Sequence, residues 1–121
     1  MREAGLFSFP KMRRLTRRSD FDLVKTGGRT TRGKLMVLKA LAVENSATFR
    51  AGFVTSRRLG SAVVRNRVRR RFRELVRAHQ HELRQDRWIV LTARRGAAGA
   101  SYGALEDEWL RLAKRASILT I

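Results

Sequence analysis

The sequence predicts an α+β fold, a two-layer α/β sandwich of order α-β-β-β-α-β-α with helices laid against one sheet of about four strands. Three observations lead there. From Thr48 to Ser56 the residues alternate, Phe49, Ala51, Phe53 and Thr55 to one side, Arg50, Gly52, Val54 and Ser56 to the other. The run "RWIVLTA" (87–93) is almost continuously apolar, as suits a central strand covered on both faces. Behind Ser61, a good N-cap, Val64, Val68, Phe72, Leu75 and Val76 recur at helical spacing and form one apolar stripe.

The other elements follow in chain order. Residues 1–16 read as a basic, loosely held tail, and 17–121 as a single domain. Ser19, with Asp22 three residues on, suggests a helix start, and Gly27-Gly28 a stop. Phe21 and Val24 share a face of that short helix. "RTTR" (29–32) is a weak strand and Lys34–Val43 a stronger one, followed by a turn at "NSA" (45–47). "RRGAAGAS" reads as a loop. Residues 102–116 form a last helix with Leu105, Trp109, Leu112 and Ala116 facing the core. There is no internal repeat.

A hydrophobic fraction of 43% in 121 residues is enough to build a core. The formal charge of +18, from 28 Lys and Arg against 10 Asp and Glu, points to a polyanionic partner. Without cysteine there is no disulfide, thiolate metal site or cysteine nucleophile. "MREAGLFSFPKMRR" lacks the apolar segment of a secretory signal, and "LMVLKALAV" is too short to span a bilayer. These features lead to the expectation of a soluble, cytoplasmic protein with no membrane association and no obligate protein partner.

The helix after Ser61 carries Arg65, Arg67, Arg69, Arg70, Arg71, Arg73 and Arg77 with only Glu74 against them. Arg65–Arg69, Arg69–Arg73 and Arg73–Arg77 are repulsive pairs. At about 100° per residue, Asn66, Arg69, Arg70, Arg73 and Arg77 cluster opposite the stripe, with Arg67 and Arg71 flanking it. Arg65 projects near Val76 at the stripe's edge. The last helix is the contrast, with Glu106, Asp107 and Glu108 toward its start and Lys114 and Arg115 toward its end, as the helix dipole prefers. A solubilising face normally mixes signs. A face of guanidinium forks is better suited to gripping phosphate oxygens. An amphipathic membrane helix is the competing reading, but its apolar face lacks Trp and is the core stripe.

Other constellations carry less. His79, His81, Glu82 and Asp86 fit no helical zinc pattern and read as solvated residues at a helix end. Glu106-Asp107-Glu108 diverge by about 100° each and cannot converge on one ion by themselves, so the dipole suffices to explain them. No Ser/His/Asp set, phosphate-binding glycine loop or dinucleotide motif is present, so no catalytic and no metal residues are assigned. Phe21 is either a core side chain or a stacking platform for an unpaired base, and composition leaves both open.

"SRRLGSAVVRNRVRRRFRE" resembles the signature of the bacterial ribonuclease P protein component, through Arg57-Arg58, Gly60, Ala62-Val63, Arg65-Asn66-Arg67 and Arg69-Arg70. "RLTRRSDFDLVKTGGR" looks like that family's N-terminal segment, and "RWIVLTAR" and the last helix occupy the expected places. The resemblance spans roughly residues 12–118. It implies the same element order, with the arginine helix in a left-handed crossover between the third and fourth strands, against the usual hand.

It also implies a function. In the family a large RNA subunit, with Mg²⁺ held mainly by RNA and substrate, removes the 5′ leader of precursor tRNA, and the protein binds no cofactor alone. By resemblance Arg65, Asn66, Arg67, Arg69, Arg70 and Arg73 contact the catalytic RNA. Phe21 stacks on the leader, with Lys25, Lys39, Arg57 and Arg58 nearby. Lys25 and Lys39 stand where some members carry aromatics, which implies a more electrostatic cleft. The rival readings are a ribosomal or other structural RNA-binding protein, a DNA-binding module and a metal-dependent nuclease.

Overall fold

The computed structural model describes residues 10–120. Three helices, α1 (Arg18–Gly27), α2 (Ala62–Ala78) and α3 (Tyr102–Arg115), accompany strands β1 (Arg29–Arg32), β2 (Met36–Ala42), β3 (Arg50–Val54) and β4 (Arg87–Ala93). The sheet order is β1-β2-β4-β3. β2 is antiparallel to both β1 and β4, while β3 runs parallel to β4. A parallel pair needs a long connection, and α2 lies within it. The predicted α+β class and element order are those observed.

The alternation predicted for β3 sorts its side chains between two clusters. Phe49, Ala51 and Phe53 join Met36, Leu38, Ile89 and Leu91 against Val68, Phe72, Leu75 and Val76 of α2 and Leu105, Trp109 and Leu112 of α3. On the other face Val90 packs with Leu15 and Val24, and Phe21, Leu41, Val54 and Trp88 adjoin them. β4 therefore carries apolar side chains on both faces, as its continuous run requires. The second face has one short helix as cover, and Val37, Lys39 and Thr92 on it remain half-exposed.

Several local expectations change. Of the tail expected at 1–16, residues 1–9 lie outside the described residues. From Pro10 the chain is packed: Lys11–Arg13 form a 3₁₀ turn, the Leu15 amide donates to the Ala51 carbonyl at 2.9 Å, and Leu15 is 5% exposed. Leu15 anchors this basic run against β3, and Arg13 adds hydrogen bonds to Thr48 Oγ1 at 3.0 Å and Gln80 Oε1 at 2.6 Å. Ser19 is not the cap of α1, which begins at Arg18 behind Arg17 with no side-chain capping bond. α1 stops at Gly28, whose φ of −83° is ordinary. The glycine is needed there for space, since a Cβ would overlap the Val24 carbonyl oxygen and reach 3.1 Å from that of Ala40. The "RRGAAGAS" loop contains a 3₁₀ turn, Arg95–Ala98, with Ala97 buried.

The acidic residues of α3 are not explained by the helix dipole, because its first turn contains none of them. Glu108 is buried and reaches the β1–β2 turn, where Oε1 accepts from the Lys34 amide at 3.0 Å and Oε2 from Leu35 at 2.6 Å and Met36 at 2.9 Å. Glu106 accepts or shares a proton with His79 Nε2 at 2.9 Å, while Glu82 meets His79 Nδ1 at 3.0 Å. His79 is therefore not a solvated helix end: it is half-buried between two carboxylates and lies 6.1 Å from the Trp109 ring. Burial works against its protonation, but the hydrogen bonds to Glu106 and Glu82 outweigh that and raise its pKa above 6.5.

Two predictions follow from these interactions. Glu108→Ala strips three strand-turn amides of their charged acceptor and should cost about 3 kcal/mol in urea unfolding. A loss below about 0.5 kcal/mol means that water replaces the carboxylate without penalty. For His79, a raised folded pKa means that its contribution is full below 6.5 and declines as pH climbs through the folded value. The urea midpoint should therefore fall between about pH 6 and about pH 8, and more steeply than in His79→Gln. Equal slopes in the two proteins rule out this triad as the source.

Candidate nucleic-acid interface

α2 begins where the Ser61 hydroxyl accepts from the Val64 amide at 3.4 Å. Its stripe is buried at Val68, Phe72, Leu75 and Val76, which fixes the outward direction of every other side chain. The arginines then divide by what they touch. Arg67 Nη2 donates to the Ala98 carbonyl at 3.3 Å and Arg71 Nη1 to that of Ala100 at 2.9 Å, tying α2 to the loop before α3. Arg69 donates to Thr55 Oγ1 at 2.6 Å and to Asn66 Oδ1 at 3.0 Å. Arg77 is paired with Glu74, and that hydrogen bond holds the Glu74 carboxyl below its ordinary pKa. Arg70 and Arg73 are exposed and form no ion pair among the described residues.

Arg65 lies half-buried at the edge of the stripe, as the helical wheel places it, and its Nε is buried without a hydrogen-bond partner. Asn66, Arg69, Arg70 and Arg73 together line a shallow hollow of about 320 Å³. Three guanidinium groups and one amide thus share one surface, and Arg69 is fixed in it by its hydrogen bond to Thr55.

A second hollow of about 280 Å³ opens at the β3 edge of the sheet, between the segment leading into α1 and α2. Arg14, Leu15, Phe21, Gly52, Arg69 and Arg73 line it. The Phe21 ring lies directly over Gly52: a Cβ at 52 would collide with the ring and approach the Leu15 Cβ to 3.2 Å. Phe21 is half-buried and packs on Leu15, Val24 and Val90, yet part of its surface faces the hollow. It is a packing residue and a cleft wall at once.

The residues expected around Phe21 are not all beside it. Arg57 and Arg58 sit exposed on a 3₁₀ turn (Arg57–Leu59) before α2 and do not line the cleft. Lys39 donates from Nζ to the Lys25 carbonyl at 3.0 Å, so it caps the C-terminal end of α1 while the Lys25 side chain stays exposed. Arg69 and Arg73, assigned to a different contact, do line the cleft. Arg14 was missed. Its neighbour Leu15, one apolar residue in "RRLTRR", was the available signal that this run docks. Among the described residues, no three metal-ligating side chains converge on a point.

A helix of arginines connecting parallel strands, beside a cleft walled by Phe21 and Phe53, makes this an α+β domain with a basic face suited to phosphate groups. The family model for Ribonuclease P matches residues 9–117. The ribonuclease P protein component of Acidothermus cellulolyticus is 41% identical over 110 residues, covering 88% of this chain and 89% of that protein. That of Symbiobacterium thermophilum is 37% identical over 109 residues, with coverage of 90% and 95%. Among solved structures, a Staphylococcus aureus RNase P protein mutant superposes with a TM-score of 0.83 at 24% identity, covering 89% of this chain and 91% of that one. The Thermotoga maritima RNase P protein gives 0.76 at 25% identity, covering 84% and 96%. The chain belongs to the ribonuclease P protein family.

Arg70→Ala combined with Arg73→Ala removes two cations that hold nothing in the fold. Thermal stability should stay within about 0.5 kcal/mol of the parent. The log–log salt dependence of RNA binding should flatten by about 1.4 to 1.8, at roughly 0.7 to 0.9 per phosphate lost. An unchanged slope reduces this face to a solvated surface.

Proposed function

We propose that the chain is the protein subunit of ribonuclease P. It binds the catalytic RNA through the arginine face of α2 and receives the 5′ leader of precursor tRNA in the cleft walled by Phe21, so that the RNA subunit removes the leader. The observation that carries this reading is the junction of the two surfaces at Arg69 and Arg73, which belong both to the α2 face and to the Phe21 cleft. A strand lying in the cleft meets an aromatic face on one side and guanidinium groups on the other, the combination that suits unpaired RNA.

In this reading the chemistry belongs to the RNA subunit, and the Mg²⁺ of the reaction is assigned to the RNA; among the described residues no three metal-ligating side chains converge. The protein's part is to hold substrate and RNA subunit together by neutralising phosphates where they approach each other. Lys39 supports this indirectly, by fixing the end of the helix that carries Phe21; Lys25, Arg57 and Arg58 supply charge at the margins. The place of action is the cytoplasm. A ribosomal role is not favoured, because it makes no use of a cleft beside the RNA-gripping helix.

Reconstitution tests the division of labour. At low Mg²⁺, protein alone and RNA subunit alone should leave precursor tRNA uncut, and the two together should produce the mature 5′ end. Cleavage by pure protein would falsify the reading. Phe21→Ala tests the cleft. Its packing loss should lower stability, and precursor should bind more weakly by a further about 1 to 3 kcal/mol in the reconstituted holoenzyme if a base stacks there. Mature tRNA, having no leader, should bind as before. Equal weakening for both RNAs assigns Phe21 to packing alone.

A further inference from the structure

At the opposite edge of the sheet, Arg32, Lys34, Arg111 and Arg115 surround a hollow of about 300 Å³. β1 and β3 are the outer strands, three strand spacings of about 4.8 Å apart, so this hollow stands roughly 14 Å across the sheet from the Phe21 cleft. The single acid beneath it, Glu108, is already engaged with three backbone amides. Its contact with Arg111 is long, 3.8 Å, and the Arg111 side chain is 70% exposed.

The hollow is rigidly framed. Gly33 lets the Glu108 carboxylate pass beneath the turn, where any Cβ would overlap it, and Arg94 Nη1 donates to the Gly33 carbonyl at 2.9 Å. The turn therefore holds Arg32 and Lys34 against Arg111 and Arg115, which lie four residues apart on one face of α3 and repel each other. The C-terminal dipole of α3 accounts for a cation at Arg115. It does not account for two more cations from the β1–β2 turn converging on the same space.

We propose that this hollow is a second phosphate cradle, docking the sugar–phosphate backbone of a paired segment of the ribonuclease P RNA subunit. The protein would then grip that RNA at two separated edges of its sheet. The inference rests on the RNA-partner reading above. No aromatic ring lines the hollow, so it lacks the stacking surface that an unpaired leader uses. Its one apolar wall, Leu112, is 2% exposed, which leaves nothing to insert into a membrane.

Arg111→Gln with Arg115→Gln, in the full chain assembled with the RNA subunit, should flatten the salt slope for RNA-subunit binding by about 1.4 to 1.8. Discrimination between precursor and mature tRNA should not change. Combined with the Arg70 and Arg73 substitutions, the losses should multiply, as expected for separate sites. An unchanged slope in the Arg111/Arg115 variant, beside a clear loss in the α2 variant, overturns the second cradle and leaves the proposed function standing. No loss in either variant overturns that function as well. A loss confined to tRNA binding means the cradle takes substrate, against the proposal. Should the glutamine pair fold poorly, Arg32→Gln with Lys34→Gln carries the same expectation. Because the chain has no cysteine, Arg115→Cys also provides a single tether for a hydroxyl-radical probe. Cuts should fall in an RNA-subunit segment distinct from those made from Asn66→Cys, and coincident or absent cuts reject the second contact.

Discussion

Repulsion among the guanidinium groups of α2 is the constraint to which the rest of the molecule answers. A helix with that charge pattern gains little from its own side-chain pairs, and its stability comes from the stripe Val68, Phe72, Leu75 and Val76. Burying each of these side chains fully contributes about 1.5 to 3 kcal/mol, more than exposed like-charge pairs of a few tenths each remove. The sheet therefore holds in place a charged surface that the helix would not favour by itself. In the proposed function, the phosphates of an RNA backbone on that surface relieve the repulsion.

The few acids are distributed accordingly. Glu108 is buried beneath the β1–β2 turn, Glu82 and Glu106 enclose His79, and Glu74 pairs with Arg77. Each is engaged in tertiary or local structure. Little negative charge remains near Arg70 and Arg73 to compete with a phosphate. The arginines divide in the same way. Arg67 and Arg71 join α2 to the loop at 98–100, Arg69 joins it to Thr55 on the sheet side, and Arg70 and Arg73 stay open. One cluster of like residues thus both positions the helix and presents it.

The cleft depends on a small residue as much as on a large one. Gly52 allows the Phe21 ring to approach β3 closely, and Leu15 closes the edge of the strand behind it. α1 is short and covers only part of its sheet face, so one side of the ring remains open. Lys39, bound to the carbonyl at the end of α1, keeps that helix seated. A packing residue also forms a cleft wall here because its cover is incomplete.

Hydrophobic periodicity and charge were enough to determine much of this protein. The alternation at 48–56, the apolar run at 87–93 and the stripe from Val64 to Val76 specify strands and helix through the two side-chain periods, and the RNR block beside them carries the family. Those signals are local, and they concern which way a side chain faces. What a side chain meets there was decided by the tertiary structure. The dipole reading of Glu106 and Glu108 failed because their partners are 27 and more than 70 residues away. Arg69 and Arg73 joined Phe21 for the same reason: β3 brings the start of the chain and α2 to one edge, and no spacing along the sequence contains that meeting.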